Sequence, residues 1–196
     1  INLPRNILSN KENFKINEKK QSFDNHNSTK AKYNYINKAV KIINSSKSVV
    51  IIAGGGIKYT SKYNNVIKLA ELLNAPIVTA AGHGDAIPFG HKLNAGQMGP
   101  RGNPVASRLV KEASVIIALG TRLGFNSTFY SYENINKKAK IIQVELEKSM
   151  IGRYFPTAVG IIGDAATVTD QLYKEIKKKN IIFDIKNWTN NYLNER

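Results

Sequence analysis

The sequence predicts an α/β domain built on a parallel β-sheet with helices on both faces. Short, continuous runs of β-branched and other apolar residues alternate with helical patterns, and such runs are typical of strands that are buried on both faces. Three of these runs end directly in glycine, at Gly54, Gly120 and Gly163. Ligands of open parallel sheets bind beyond the carboxyl ends of the strands, so these glycine-tipped ends indicate where a site is expected.

The individual elements are predicted from hydrophobic periodicity and from the residues that interrupt it. The predicted helices, each with an apolar stripe at helical spacing, cover residues 35–43, 64–73, 104–112 and 166–178. The predicted strands cover residues 48–53, 77–79, 114–119, 140–144 and 158–162. Residues 80–104 are rich in Gly, Pro and His and have no periodicity, so they are interpreted as one long loop, which in a compact domain is usually functional.

The two ends of the chain are interpreted as linkers around one domain over residues 35–179. Residues 1–34 hold the apolar start Ile1–Arg5 and then a polar stretch, and residues 180–196 form a second linker with a short helix predicted near Trp188. Because the first residue is Ile rather than Met, we expect the chain to be a piece of a longer polypeptide.

Composition excludes several classes of protein. The chain has no Cys, which excludes a disulfide framework and thiolate metal sites. No apolar run approaches the roughly 18 residues that a membrane span needs, and no signal-peptide pattern opens the chain. We therefore expect a cytoplasmic protein without a membrane partner.

The net charge of +15 is the one feature that suggests nucleic-acid binding. Lys and Arg outnumber acids by ten to three in residues 1–48 and by six to three in residues 174–196, but only by thirteen to eight in residues 49–173. Most of the excess therefore lies in flanks rich in Lys and Asn, and no nucleic-acid-binding motif accompanies it. We expect no nucleic-acid partner.

Three groups of residues near strand ends each have a functional and a structural interpretation. Gly54–Gly56 either presents free backbone N–H groups to a phosphate at a helix start or forms a tight turn, and it is not a complete dinucleotide fingerprint. Asp164 either accepts hydrogen bonds from an adenine or ribose or caps the following helix. Glu145 and Glu147 lie on one face of a strand, which suits acid–base catalysis, contact with a ribose hydroxyl, or surface charge.

An ordered set of segments carries a resemblance to a known family. The segments are SVVIIAGGG, LAELLNAPIVT, GHGDAIPFGHKLNAGQMGPRGNPVASRLVKEASVIIALGTRLG, KIIQVELEKSMIGRYFP and VGIIGDA, within residues 36–172. Together they resemble the middle domain of the acetolactate synthase-like family of thiamine-diphosphate-dependent enzymes. INLPRN at the start of the chain is similar to the exit from the preceding, pyrimidine-binding domain of that family.

The resemblance implies a six-stranded, three-layer parallel domain of the FAD/NAD-binding-like type, set between two thiamine-binding domains. The whole enzyme would decarboxylate or cleave a 2-oxo acid or aldehyde and would form a homodimer or homotetramer. Thiamine diphosphate and Mg²⁺ would be bound by the flanking domains, so we expect no catalytic residue, no metal ligand and no turnover in this chain alone. The middle domain binds FAD in acetolactate synthases, ADP or CoA in oxalyl-CoA decarboxylases, and no nucleotide in pyruvate decarboxylases.

Carried over by position, the resemblance implies a set of candidate cofactor contacts. They are Gly54, Gly55, Gly56, Thr79, Met98, Gly99, Arg101, Gly120, Thr121, Arg122, Glu145, Leu146, Asp164 and Ala165. Two departures weigh against FAD. Leu123–Asn126 replaces the Phe-Asp-Asp-Arg that is typical of acetolactate synthases, and Arg101 replaces the histidine of the usual loop. Arg101 either pairs bidentately with a phosphate or lies on the surface.

Two patterns in the sequence suggest a metal site, and for each of them we predict that no metal is bound. His83 and His91, with Asp85 between them, are fewer than the three or four convergent ligands that a metal needs. Gly163-Asp164-Ala165 followed by Asn190-Asn191 has the spacing of the family's Mg²⁺ motif, but its third residue is not glycine and the intervening segment predicts one lysine-rich helix rather than a helix and a strand.

Acetolactate synthase is the first interpretation of the function. Sulfoacetaldehyde acetyltransferase, or another acyl-transferring thiamine-diphosphate enzyme, is the second. A stand-alone nucleotide-binding module is the alternative from another class.

Overall fold

The computed structural model describes Lys11 and residues 29–60, 62–181, 183 and 186–195. Most of the predicted linker over residues 1–34 therefore lies outside the described residues. None of the described helices has the length and apolar character that crossing a bilayer requires.

Six strands form one sheet in which every neighbouring pair is parallel. They are β1 (Val49–Ala53), β2 (Ile77–Thr79), β3 (Asn94–Gln97), β4 (Val115–Leu119), β5 (Lys140–Glu145) and β6 (Val159–Ile162). The strand order is β3-β2-β1-β4-β5-β6, so the chain proceeds outward from β1 on one side and from β4 on the other. The boundary between β1 and β4 is a topological switch point, where ligands bind in sheets of this kind. The predicted architecture is confirmed.

Helices cover both faces of the sheet. They are α1 (Tyr33–Asn44), α2 (Gly55–Lys58), α3 (Tyr63–Leu73), α4 (Pro104–Glu112), α5 (Phe125–Thr128), α6 (Ala165–Lys178) and α7 (Lys186–Leu193), with a 3₁₀ turn at Lys148–Met150. The four predicted long helices and the short helix near Trp188 are confirmed. The single-turn helices α2 and α5 were not predicted, because four residues are too few to show helical periodicity.

The helix ends follow local chemistry. The Asn103 side chain accepts a hydrogen bond from the Val105 N–H at the start of α4, and Pro104 occupies the first helical position, where its missing N–H costs nothing. At the end of α3, Asn74 adopts a left-handed conformation (φ 53°), which terminates the helix before the chain enters β2.

The core consists of two hydrophobic clusters, one on each face of the sheet. Val49, Ile51 and Ala53 of β1 point into the cluster formed with α1, α3 and α6, whereas Val50 and Ile52 point into the cluster with α4. All five side chains are fully buried, as expected for a central strand whose two faces are both covered. The continuous apolar run of β1 is thus explained by burial on alternate faces.

The prediction of one unbroken loop over residues 80–104 was wrong for Asn94–Gln97, which form the edge strand β3. The strand contains no β-branched residue, and Gly96 has a left-handed conformation (φ 94°). Its pairing with β2 shifts register between Ile77 and Thr79. A short, irregular edge strand of this composition gives no periodic signal in the sequence.

Candidate functional site

Three adjoining cavities lie beyond the carboxyl ends of the strands. The central cavity, of about 500 Å³, is lined by residues that follow β1, β2, β4 and β5. The β6-side cavity, of about 540 Å³, includes Lys62, Leu146 and Asp164. The β3-side cavity, of about 330 Å³, includes Met98 and Arg101. Each side cavity shares lining residues with the central cavity, so together they form a groove across the switch point, with volumes typical of small-molecule sites.

Gly54, Gly56 and Gly120 form a glycine junction where the chain leaving β1 crosses the chain leaving β4. A Cβ atom at Gly54 would lie 2.6 Å from Thr121 Cβ and closer still to the Gly120 carbonyl oxygen. A Cβ atom at Gly120 would lie 2.5 Å from Gly56 Cα, and Gly120 has a φ of 58°. These three positions therefore require glycine for backbone packing alone.

The N–H groups in the glycine junction are already used. The Gly54 N–H donates to the Leu119 carbonyl and the Gly56 N–H to the Gly120 carbonyl, each at 3.0 Å. Of the two interpretations of Gly54–Gly56, these hydrogen bonds favour the tight turn at Gly54 and Gly56, and a ligand contact by these residues stays a prediction. Glycine spacing alone does not distinguish a phosphate loop from a close backbone crossing.

Three residues that line the central cavity have backbone N–H groups without a partner among the described residues. Within the described part of the chain, no atom accepts a hydrogen bond from the backbone N–H of Gly55, Thr121 or Arg122. All three residues line the central cavity. Backbone N–H groups are obligatory donors, so with respect to the described residues these three are available to solvent or to a ligand.

Arg122 and Glu145 give the central cavity one charge of each sign. Arg122 is exposed, two residues beyond Gly120, whereas Glu145 is half-buried at the end of β5 and lines both the central and the β6-side cavity. Burial raises the pKa of the Glu145 carboxyl, and the positive charge of Arg122 partly offsets this rise. A carboxylate with few protein partners can accept hydrogen bonds from ligand hydroxyl groups.

Gln143, in the middle of β5, fixes the segment that carries Thr121 and Arg122. Its buried Nε2 donates to the carbonyls of Thr121 and Met150, each at 3.2 Å, and its Oε1 accepts from the Gly152 N–H at 2.9 Å. Sequence reasoning missed this residue. The available signal was a lone amide between the apolar residues Ile142 and Val144, since a buried side-chain amide needs partners.

Four side chains form an aromatic ladder along the groove: Phe125, Phe129, Tyr130 and Tyr154. The ring centroids of Phe125 lie 4.9 Å from Phe129 and 5.6 Å from Tyr130, and Tyr130 stacks on Tyr154 at 4.3 Å. Phe125, Tyr130 and Tyr154 line the central cavity, and Phe125 and Phe129 line the β3-side cavity. No residue of the ladder was among the predicted contacts, although the sequence shows residues 121–138 to be irregular and aromatic.

Most of the predicted contacts line a cavity: Gly55, Gly56, Met98, Arg101, Gly120, Thr121, Arg122, Glu145, Leu146, Asp164 and Ala165. Gly54, Thr79 and Gly99 line none of the three. Thr79 is buried, and its Oγ1 has no partner among the described residues. Gly99 has a φ of 103°, and its N–H donates to Ser107 Oγ at 3.2 Å. The structure does not bring these three residues to the groove.

The carboxylates of Asp164 and Glu147 accept hydrogen bonds from nearby residues of the chain. Asp164 caps α6, because its Oδ1 accepts from the Thr167 N–H at 2.8 Å and from the Thr167 hydroxyl at 2.6 Å. The capping interpretation is confirmed, and a ligand contact by Asp164 stays a prediction. Glu147 accepts hydrogen bonds from Ser149 and lines none of the three cavities, so it does not form an acid–base pair with Glu145 in the groove.

The two histidines of the long loop have different surroundings. His83 lines the central cavity and has a buried Nδ1 without a partner among the described residues, whereas His91 lies 3.5 Å from Glu71. Asp85 pairs with Lys58 at 3.0 Å, and this hydrogen-bonded ion pair lowers the pKa of Asp85. No three His, Asp or Glu side chains within the described ranges are grouped to hold a metal ion.

Comparison with known proteins identifies similar chains. Residues 36–172 match the family model described as thiamine pyrophosphate enzyme, central domain. Sulfoacetaldehyde acetyltransferase of Roseovarius nubinhibens is 37% identical over 143 residues, which are 72% of this chain and 24% of that protein. The protein of the same name from Alcaligenes xylosoxydans xylosoxydans is 38% identical over 140 residues, 70% of this chain and 23% of its own length.

A third relative matches nearly the whole chain. The acetolactate synthase large subunit of Buchnera aphidicola subsp. Schizaphis graminum is 30% identical over 194 residues, which are 96% of this chain and 33% of that protein. The chain thus spans about a quarter to a third of the length of these relatives.

Proposed function

Because this chain belongs to the thiamine pyrophosphate enzymes, as their central domain, we propose that its groove binds a diphosphate-bearing nucleotide, FAD or ADP, within a larger enzyme that decarboxylates or carboligates 2-oxo acids. The central cavity at the β1–β4 switch point carries this proposal. It combines unpartnered N–H donors, a guanidinium group and a partly desolvated carboxylate.

Each of these groups has a matching part on a nucleotide. The N–H groups of Gly55, Thr121 and Arg122 can donate to diphosphate oxygens, and the Arg122 guanidinium can pair with a phosphate. The Glu145 carboxylate can accept hydrogen bonds from ribose hydroxyls, as an acid at a strand end does in dinucleotide-binding sheets. The residues present therefore fit a diphosphate-bearing nucleotide whose phosphates lie in the central cavity.

The charged residues of the groove do not distinguish FAD from ADP, so the two ligands are compared by experiment. Asn126 lines both the central and the β3-side cavity, where the acetolactate synthase pattern supplies an additional arginine. Arg101 lines the β3-side cavity and supplies one cation there. A ligand that contacts Arg101 would have to extend from the central cavity into the β3-side cavity.

In the whole enzyme, thiamine diphosphate supplies the carbanion chemistry, and the flanking domains hold it together with Mg²⁺. We propose that this domain binds its nucleotide and orients its neighbours, in a cytoplasmic homodimer or homotetramer acting on a 2-oxo acid or aldehyde. The higher identities belong to relatives named sulfoacetaldehyde acetyltransferase rather than acetolactate synthase. This observation favours acetyl-group transfer as the second candidate activity, beside carboligation.

Calorimetric titration of the chain with FAD, ADP, CoA and NAD tests the nucleotide proposal. We expect FAD or ADP to bind with a dissociation constant well below ~1 mM, equivalent to more than about 4 kcal/mol of binding free energy. The same titrations with the full-length protein serve as the reference. If none of the four ligands binds either protein, the nucleotide proposal is wrong.

A turnover assay tests the assignment of catalysis to the flanking domains. Purified chain with thiamine diphosphate, Mg²⁺ and either pyruvate or sulfoacetaldehyde as the substrate is expected to consume neither, whereas the full-length protein is expected to consume one of the two. Sustained turnover by the chain alone contradicts the assignment.

A further inference from the structure

Three large aromatic side chains stand exposed along the groove on one short segment. Phe125 is 53% exposed, and Phe129 and Tyr130 are each 47% exposed. Together with Tyr154 they form the aromatic ladder, whose rings lie within stacking distance of one another. Clustered exposed aromatics usually mark a binding surface, because leaving them in water forgoes the free energy of their burial.

The backbone beneath the ladder is held in a strained conformation. Phe129 and Tyr130 are consecutive non-glycine residues in the left-handed region, with φ of 50° and 56°. For bulky side chains this conformation costs on the order of 1–2 kcal/mol per residue. Strain of this kind persists where the surrounding structure enforces it, and it occurs preferentially at functional sites.

Thr128 is the residue that enforces this conformation. It is completely buried. Its hydroxyl donates to the Leu123 carbonyl at 3.0 Å and accepts from the Tyr130 N–H at 3.1 Å. Its own carbonyl accepts from the Asn134 side-chain amide at 3.1 Å. The rings of Phe129 and Tyr130 are therefore presented by a fixed turn rather than by a loose loop.

We propose that Phe125 and Tyr130 stack against the planar heteroaromatic ring of the bound ligand. This inference rests on the proposed nucleotide function and specifies which side chains select the ring. Both residues line the same cavity as the unpartnered N–H groups and Arg122, so one ligand can present phosphate to the donors and a flat ring to the ladder. An adenine and a flavin share this chemistry.

Tyr132 belongs to the same aromatic segment, but its ring packs against the protein core. It is exposed to a similar extent, but its ring packs edge-on against the buried Phe155 at 5.4 Å, and it lines none of the three cavities. The stacking role therefore separates Phe125 and Tyr130 from Tyr132, and Tyr132 provides the matched control.

The test measures affinities of the chain for FAD, ADP and inorganic pyrophosphate after Phe125→Leu, Tyr130→Leu and Tyr132→Leu. Each of the first two substitutions is expected to weaken the ring-bearing ligand about tenfold, equivalent to about 1.4 kcal/mol, and to leave pyrophosphate unchanged. Tyr132→Leu is expected to change neither. Tyr130→Phe keeps the ring and is expected to retain affinity. Comparing FAD with ADP identifies which ring is stacked, and stacking of a flavin also quenches its fluorescence.

The outcomes separate this inference from the function on which it rests. If none of the ligands binds the parent chain or the full-length protein, the nucleotide proposal itself is overturned. If FAD or ADP binds but Phe125→Leu and Tyr130→Leu behave like Tyr132→Leu, the stacking inference is overturned and the nucleotide proposal stands. Equal losses for pyrophosphate and nucleotide, or a loss in Tyr130→Phe, also overturn stacking. Thermal unfolding of each variant identifies any that does not fold, and the variants that fold decide the outcome.

Discussion

The glycine junction and the aromatic ladder lie on the same rim of the sheet and differ in almost every respect. At the junction, Gly54, Gly56 and Gly120 pack backbone against backbone, and the N–H groups of Gly54 and Gly56 are consumed by carbonyls. At the ladder, large side chains are exposed above a strained backbone. Within one rim, these three glycines thus serve the fold, whereas the segment after Gly120 carries the aromatic ladder together with the N–H groups of Thr121 and Arg122.

This difference shows why glycine-rich strand ends are ambiguous. A glycine after a strand permits either close approach of a ligand or close approach of another segment of the chain, and both need the same missing side chain. Here the second explanation accounts for Gly54 and Gly56. Among the described residues, the Gly55 N–H has no partner, and Gly55 lines the central cavity, where solvent or a ligand can accept this hydrogen bond.

The largest effect is expected for Gly54→Ala at the junction. The added methyl group meets Thr121 Cβ and the Gly120 carbonyl, neither of which can move without displacing β4. We expect a loss of about 3 kcal/mol in unfolding free energy, or roughly 6–12 °C in Tm. Urea and thermal unfolding measure it. Gly90→Ala is the control, because a Cβ there meets nothing within 4 Å. If both variants are equally stable, the junction does not depend on glycine.

Gln143→Met is expected to have the next largest effect, because Gln143 connects the buried sheet to the ligand-facing segment. Methionine keeps the volume but leaves the Gly152 N–H and the carbonyls of Thr121 and Met150 without this partner. We expect about 2 kcal/mol of destabilisation, measured by urea unfolding, together with weaker nucleotide binding. Loss of stability with unchanged affinity indicates that Thr121 needs no anchoring by Gln143.

Arg122→Gln tests the ligand-facing region directly. Removal of a charge-assisted hydrogen bond to phosphate is expected to weaken FAD or ADP about tenfold, with little change in stability because Arg122 is exposed. Arg153→Gln is the matched control, since Arg153 lies over the Tyr154 ring at 5.5 Å but lines none of the three cavities. Equal losses in the two variants, measured by calorimetry, indicate only a general effect of positive charge.

The smallest effect is expected for Glu145→Gln, as a change in stability that depends on pH. Burial raises the folded-state pKa of Glu145 above its ordinary value, so the folded state favours the protonated form and the ionised carboxylate opposes folding. The variant is therefore expected to be slightly more stable than the parent at pH 7, and the gain is expected to shrink as the pH falls through the raised folded-state pKa of Glu145 and to vanish near the ordinary value of about 4.3. Thermal unfolding between pH 4 and 8 checks this. A gain that grows towards low pH contradicts the assigned direction.

The sheet was largely predictable because its central strands are buried on both faces. Val49–Ala53 and Val115–Leu119 are apolar throughout, and no surface helix of comparable length has that pattern. β3 was not predictable, because Asn94–Gln97 is held by its position beside β2 rather than by its composition.

The site was only partly predictable. Arg122 and Glu145 could be proposed because they follow strand ends, and parallel strand ends converge at one rim. The ladder could not be predicted, because it depends on left-handed backbone at Phe129 and Tyr130, which their residue types disfavour. The buried Thr128 hydroxyl fixes this backbone by hydrogen bonds to neighbouring residues, and a lone Thr in a sequence does not show that it is buried. Whether a backbone N–H group has a hydrogen-bond partner also depends on contacts between distant segments, such as Gly54 with Leu119, which cannot be read from the sequence.

A crystal structure of the chain with bound ADP or FAD is the most direct test of the claim that the segment after Gly120, rather than the glycine junction, carries the ligand. The claim predicts phosphate oxygens within hydrogen-bond distance of the N–H groups of Thr121 and Arg122, with the ring against Phe125 or Tyr130. A ligand bound instead through the N–H groups of Gly54 and Gly56, with its ring away from the aromatic ladder, contradicts it.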